Sequence, residues 1–389
     1  MTEHSVPINE PDLETEVDSP VDTDQPEPQP QSRARRRRLW WSAAGGLVVG
    51  AAIIAALFLI QLPYFVIQPG SVTPAEQRVE IEGARSFDTD GRVLFVTVFI
   101  NRATPALMIR SWLDDSVEVR SKEEMYPEGD EDESRRENVV LMDTSKIVAE
   151  KVALTYLGLP AEFSGEGALV AGLVKSSPSK GVLEAGDVLV EVDDDPVKMP
   201  DDIGPALEDR RPGDTVGLVV ERRSENAAAS GSSAQAKPKR RRLELALGAD
   251  PKDPDRPVLG IYVEPYALSV NSDIKVAVDS GDVTGPSAGL AWTLAIIDRL
   301  TPESLTDGKR VAVTGEIHAD GSVGAVGGTP QKVAAVKRAG IKVFLYPKAT
   351  PDADKRAIER IAGDDMKTYA VGTVDEAVKV LAPDGVHRP

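Results

Sequence analysis

Apolar and polar positions are distributed in three distinct ways along this chain. From Leu39 to Leu62, "LWWSAAGGLVVGAAIIAALFLIQL", no charged residue interrupts the run. As a helix rising ~1.5 Å per residue it is about 36 Å long, enough to cross a ~30 Å hydrocarbon core with some tilt. The preceding residues, 1–38, are rich in acidic residues and proline and close on the cluster Arg33 to Arg38. Such a segment cannot bury enough apolar surface to offset its ordering entropy, so it is expected to be disordered. Beyond the run, "GRVLFVTVFI" (Gly91 to Ile100) reads as a strand, and the acidic "EGDEDESRRE" that follows later reads as a loop. "MDTSKIVAEKVALTYLGLP" (Met142 to Pro160) reads as a helix with Val148, Val152 and Tyr156 on one face, stopped by Gly158 and Pro160. From about Phe163 the texture becomes short apolar strands separated by turn signals. Within it, residues 224–242 are low in complexity and predict a flexible hairpin tip.

The third pattern begins near Asp282. "DVTGPSAGLAWTLAIIDRL" (Asp282 to Leu300) is a turn followed by a helix apolar on nearly all sides. Pro286 suits the first helical position, which puts Ser287 in the first turn, where backbone N–H groups lack helical partners. A small residue for a tight turn and a nucleophile are both compatible with that place. "RVAVTGEI" (Arg310 to Ile317) is a strand, and "TPQKVAAVKRAG" predicts a helix from Pro330 to Ala339 with Thr329 as N-cap. At 100° per residue, Lys332 falls amid Ala335, Val336 and Ala339, while Lys337 and Arg338 point elsewhere. A lysine there either snorkels or is buried for a purpose. Burial and the helix N-terminus would both lower its pKa, and a neutral amine can take a proton from a serine hydroxyl.

Composition narrows the chemistry. The chain has 389 residues and no cysteine, which excludes a thiol nucleophile, a cysteine-ligated zinc and a disulfide. Its three histidines are His4, His318 and His387, the first and last near the ends, so neither a histidine-based triad nor an H-E-x-x-H zinc site is expected. No G-x-x-x-x-G-K-[ST] phosphate loop occurs, and no metal or cofactor is called for. The net charge of −18 argues against a nucleic-acid partner, although much of it comes from the tail. The arginine cluster beside the apolar run orients it by the positive-inside rule: tail in the cytoplasm, everything after Leu62 outside.

Two resemblances organise these elements. The middle block resembles a bacterial PDZ domain through Ser177-Pro178-Ser179, Leu183-Glu184-Ala185-Gly186-Asp187-Val188-Leu189 and Pro212-Gly213-Asp214. That resemblance implies a groove taking peptide C-termini as an added strand, with the carboxylate held by the loop at Gly165, Gly167, Ala168 and Leu169. Gly285-Pro286-Ser287-Ala288-Gly289, Thr314-Gly315-Glu316 and Gly327-Gly328-x-x-x-Lys332, in that order, resemble the proteolytic domain of Lon proteases. Met142-x-x-Ser145-x-x-x-Ala149, "GRVLFVTV" and "TVDEAVKVL" are similar to that domain's other elements. Together with the apolar run, the likeness is to the YlbL-like family of membrane-anchored, PDZ-containing Lon-type serine proteases.

The resemblance implies an α+β fold: a Lon-type domain interrupted by a PDZ-like insert and preceded by one transmembrane helix. The expected boundaries are 1–38 tail, 39–62 transmembrane helix, 76–160 first Lon-type part, 161–249 PDZ domain and 250–385 catalytic part. It assigns the nucleophile to Ser287, the base to Lys332 and the lysine-orienting role to Thr314, and it implies a homo-hexameric ring. Unfolded or envelope proteins are the implied substrates. Thr284 stands where the Lon pattern has aspartate, and the ATPase module of Lon is absent. The rival reading is a PDZ-bearing envelope scaffold whose Lon-type domain is inactive.

Overall fold

The computed structural model describes residues 31–114, 116–126, 131–222 and 239–386. The expected tail up to residue 30, most of the expected hairpin tip, His4 and His387 lie outside them. The chain divides into two units, Met1–Ile60 and Gln61–Pro389. The first contributes helix α1 (Gln31–Leu59). This helix begins before the apolar run and takes in the arginine cluster that had been expected to be disordered. It ends at Leu59 rather than Leu62, because residues just before Pro63 are pushed away from helical conformation. Among the described residues no helix is long and apolar enough to cross a membrane. The side chains of 31–39, 42 and 43, part of the expected span, lie outside the described residues.

The second unit contains a six-stranded sheet. Its strands are β1 (Tyr64–Pro74), β2 (Arg92–Arg102), β3 (Glu118–Ser121), β4 (Arg310–Val313), β5 (Val343–Pro347) and β6 (Lys367–Val371). They run in the order β6-β5-β4-β2-β1-β3, with β2, β4, β5 and β6 parallel to their neighbours in that group and β1 antiparallel to both of its own. Alternation along β2 divides the domain into layers. Val93 and Phe95 face one core with helices α2 (Glu131–Tyr156), α3 (Gly289–Leu300) and α6 (Val374–Leu381). Leu94 and Val96 face the other with α4 (Thr329–Arg338) and α5 (Asp352–Ala362). Every residue of α3 except Arg299 is buried, as its unbroken apolar pattern requires. The fold is mixed α+β.

Three boundaries differ from expectation. Strand β1 starts at Tyr64, ahead of residue 76; Pro69-Gly70 and a register shift between Pro69 and Val72 hide its period. Helix α2 starts at Glu131, so the acidic stretch from there is helix and not loop; Glu131, Asp132 and Glu133 complement the positive end of its dipole. The insert's sheet extends past residue 249. Its order is Lys239–Ala246, Thr215–Arg222, Val188–Val192, Gly167–Leu173 and Ile261–Tyr266, around a core of Ala168, Leu189, Val192, Val216, Leu218 and neighbours. The chain leaves this sheet only after Tyr266, and Ser269–Asn271 then pairs with Glu162–Ser164.

Candidate active site

Ser287 sits in a 3-10 turn, Pro286–Ala288, that leads into α3, and not in the α-helix itself. The turn is entered through Gly285 at φ +84, a left-handed conformation that suits glycine. Gly285 is buried and its N–H donates to Asn138 O of α2 at 2.8 Å. Ser145 Oγ, also on α2, donates to Pro286 O at 3.3 Å. Gly289 lets the two helices close in, since a Cβ there would lie 2.6 Å from Ser145 Oγ and 2.7 Å from Ile317. Asn138 and Ser145 thus hold the serine turn; the sequence had marked Ser145 only as part of a pattern and Asn138 not at all. Ser287 itself is half-buried and reachable from solvent.

The strand expected over Arg310 to Ile317 breaks after Val313 and resumes at Glu316. The break is what frees Thr314. Its N–H still donates to Leu345 O, so the residue stays pinned to β5 while its side chain turns to the site. Thr314 Oγ1 donates to the Ser287 carbonyl at 3.1 Å and accepts from Lys332 Nζ at 2.9 Å. Gly315 N–H also donates to the Ser287 carbonyl, at 3.0 Å. The serine backbone is therefore fixed from two sides.

Lys332 enters from α4. The helix is capped by Gly328 at φ +67, and Thr329 is its first residue rather than its cap. Thr329 Oγ1 instead donates to Val326 O. Residues Gln331 to Val336 are all buried, whereas Ala339, expected on the same face as Lys332, is exposed at the helix end. Lys332 is 1% exposed. Among the described residues it forms no ion pair, and burial alone pulls its pKa from 10.5 to about 7. Its Nζ donates to Thr314 Oγ1 and is not hydrogen-bonded to Ser287 Oγ. A neutral amine that donates through N–H keeps its lone pair free to accept a proton. All three sequence-predicted residues, Ser287, Thr314 and Lys332, thus meet in one chain of contacts, through the Ser287 carbonyl and the Thr314 hydroxyl.

The expected carboxylate loop does not survive the geometry. Gly167–Leu173 is paired on both edges: Leu169 faces Val188 on one side and Glu264 on the other. Ala168 is fully buried, and a Cβ on Gly165 would lie 2.6 Å from Lys198 O. Gly165, Gly167, Ala168 and Leu169 therefore offer no edge to a peptide. The sheet's outer strands are Lys239–Ala246 and, at the other end, Ile261–Tyr266. Beside the latter lies an open groove of about 990 Å³, lined by Ile203 and Leu207 opposite Gly260, Ile261 and Val263. Gly260, at φ +67, turns the chain into that strand. The sequence signal was "VLGIYV", an apolar-flanked glycine opening an alternating run, but it lay beyond the expected domain boundary.

A family model for the Lon protease (S16) C-terminal proteolytic domain matches residues 261–383, and one for the PDZ domain matches residues 149–230. The chain carries both domains. Among curated proteins, the Lon protease of Campylobacter concisus is 38% identical over 109 residues, which are 28% of this chain and 13% of that protein. The Lon protease of Elusimicrobium minutum is 37% identical over 101 residues, 26% of this chain and 12% of that protein. The chain thus spans a small part of the relatives it matches. The solved PDZ domain of an SdrC-like protein from Listeria innocua is 24% identical and covers 26% of this chain and 96% of its own, with a TM-score of 0.20. That score is too low to bear on the fold.

Proposed function

We propose that this chain is a Lon-like serine endopeptidase of the YlbL-like kind, working through a Ser287–Lys332 dyad. The observation that carries the reading is Lys332, buried without a counter-ion among the described residues yet one hydroxyl away from the serine backbone. Burying a lone ammonium is costly, so burial lowers the pKa to about 7 and a large share of the amine is neutral near pH 7. Lys332 Nζ takes the Ser287 Oγ proton as Oγ bonds to the substrate carbonyl carbon, and returns it to the leaving amine as the peptide C–N bond breaks. Water then attacks the acyl-enzyme, losing a proton to the same lysine, which delivers it to Ser287 Oγ as the ester C–O bond breaks. The Ser287 N–H, following a proline that has none, would donate to the oxyanion. Thr314 keeps Nζ from rotating away.

The groove beside Ile261–Tyr266 would take the extended C-terminus of an unfolded or envelope protein by strand addition. The run 39–62 would anchor the chain with residues 1–38 in the cytoplasm and the proteolytic and PDZ domains outside, assembled as a ring. A fluorophosphonate probe tests the activity. It should label Ser287 in the full chain and not in Ser287→Ala, and fragments of an unfolded substrate should appear with the first protein alone. No labelling and no fragments would leave the inactive scaffold as the reading.

A further inference from the structure

An exposed apolar helix lies where the proteolytic domain begins. Helix Pro105–Leu113, "PALMIRSWL", is capped by Thr104, which accepts from Leu107 N. Its inner side gives Leu107 and Met108 to a small core with Val66, Ala103 and Val117. Its outer side carries Ile109, Trp112 and Leu113, which are 48%, 81% and 84% exposed, with Arg110 exposed among them. None of the helix is fully buried. Ile109, Trp112 and Leu113 are spaced three and four apart, so they form one face.

What covers this face follows from its neighbours. Leu62, the last residue of the long apolar run, packs into the same core as Leu107 and Met108. Its N–H donates to Ala103 O at 2.8 Å, and Ala103 N–H donates to Tyr64 O at 2.8 Å. The chain that leaves α1 at Leu59 therefore reaches this core within three residues, about 10 Å when extended. A helix with its side chains is about 10–12 Å across. If the run is seated in a bilayer, a helix that shares a small core with Leu62 lies within about one helix diameter of the bilayer surface. Tryptophan and a neighbouring arginine suit that depth: the indole has an apolar body and a polar N–H, and the guanidinium reaches the headgroups.

We infer that helix Pro105–Leu113 lies in the lipid interface, with Ile109, Trp112 and Leu113 among the upper acyl chains and Arg110 at the headgroups. The inference rests on the proposed membrane anchor. It makes the helix a second lipid contact in addition to the run 39–62.

The absence of cysteine allows a direct test on the full chain. Trp112→Cys and, separately, Leu113→Cys are labelled with a nitroxide in vesicles of phosphatidylethanolamine and phosphatidylglycerol. Tyr262→Cys, 62% exposed on the insert, serves as the water-facing reference. Labels at 112 and 113 should be several-fold more accessible to oxygen than to a water-soluble nickel chelate, with the reverse at 262. Flotation after an alkaline wash reads the anchor separately: protein stripped from the vesicles would overturn the anchor, and this inference with it. With the anchor intact, labels at 112 and 113 that match the reference would overturn the lipid contact alone. So would dipolar broadening at 112 that disappears on dilution with unlabelled chain, since a second copy would then be the occupant.

Discussion

Replacing Lys332 with methionine removes the ionisable group while keeping most of the stem. The folded pKa is about 7 against an ordinary 10.5. An unfolded chain therefore binds a proton on this lysine that the folded chain does not, over the whole interval between those values. Stability rises with pH across that interval. Below pH 7 the full cost is on the order of 5 kcal/mol, at 1.36 kcal/mol per pKa unit. At pH 7 it is about 4 kcal/mol and at pH 9 about 2 kcal/mol. Lys332→Met relieves it, but loses the hydrogen bond to Thr314 Oγ1, and that loss is the same at both pH values. The difference between the two pH values isolates the titration: the variant should gain about 2 kcal/mol more at pH 7 than at pH 9, relative to wild type. Denaturant midpoints of the full chain in detergent at the two pH values measure it, and peptide hydrolysis on the same samples should be abolished. Equal stability changes at pH 7 and pH 9 would mean that the lysine carries its proton, and retained hydrolysis would end its role as base.

Further outcomes follow at Thr314, Ser145, the insert groove and Glu76. Thr314→Val should leave Lys332 Nζ without its partner, cost about 1–3 kcal/mol in denaturant melts and cut hydrolysis strongly, with Thr314→Ser restoring much of both. Ser145→Ala should slow hydrolysis without preventing acylation by the fluorophosphonate probe, because it loosens the Pro286 carbonyl and not the nucleophile. Ile203→Asp should weaken binding of a fluorescent peptide with a free C-terminus, read by anisotropy, while a small peptide substrate is cleaved at an unchanged rate. Glu76 is buried, with Oε1 accepting from Val93 N–H, and burial raises its pKa from 4.5 to about 7. The folded chain thus holds this proton longer than the unfolded one, and stability falls as pH rises from 4.5 through 7. Glu76→Gln should therefore stabilise by an amount on the order of 3 kcal/mol at pH 8 and by little below pH 4.5, by thermal melts.

The site was more legible in the sequence than the domain borders. Gly285-Pro286-Ser287 and Gly327-Gly328-x-x-x-Lys332 are local signals, because a left-handed glycine and a helix start are set by neighbouring residues. Lys332 stood out because its helical face is otherwise apolar. The PDZ edge strand was misplaced because a strand's position in a sheet depends on distant partners: Ile261–Tyr266 gains its place only by pairing with Gly167–Leu173. Strand β1 was missed because a proline and a glycine interrupt it, and Asn138 because a backbone carbonyl acceptor leaves no trace in residue type.

The short pairing of Glu162–Ser164 with Ser269–Asn271 bears on how the chain assembles. Strands β2 and β4 lie side by side although Arg102 and Arg310 are far apart in sequence. Bringing them together means closing a very long loop, and long-range parallel pairing is intrinsically slow. Once the insert has folded and its ends have met, everything between Ser164 and Ser269 drops out of that loop and roughly halves it. Each halving returns only about 0.6 kcal/mol of closure entropy, close to a threefold gain in encounter rate. The larger benefit is one of order: a β-rich block that collapses first leaves its neighbours searching as two short chains joined at a fixed point, with fewer wrong edges open to pairing.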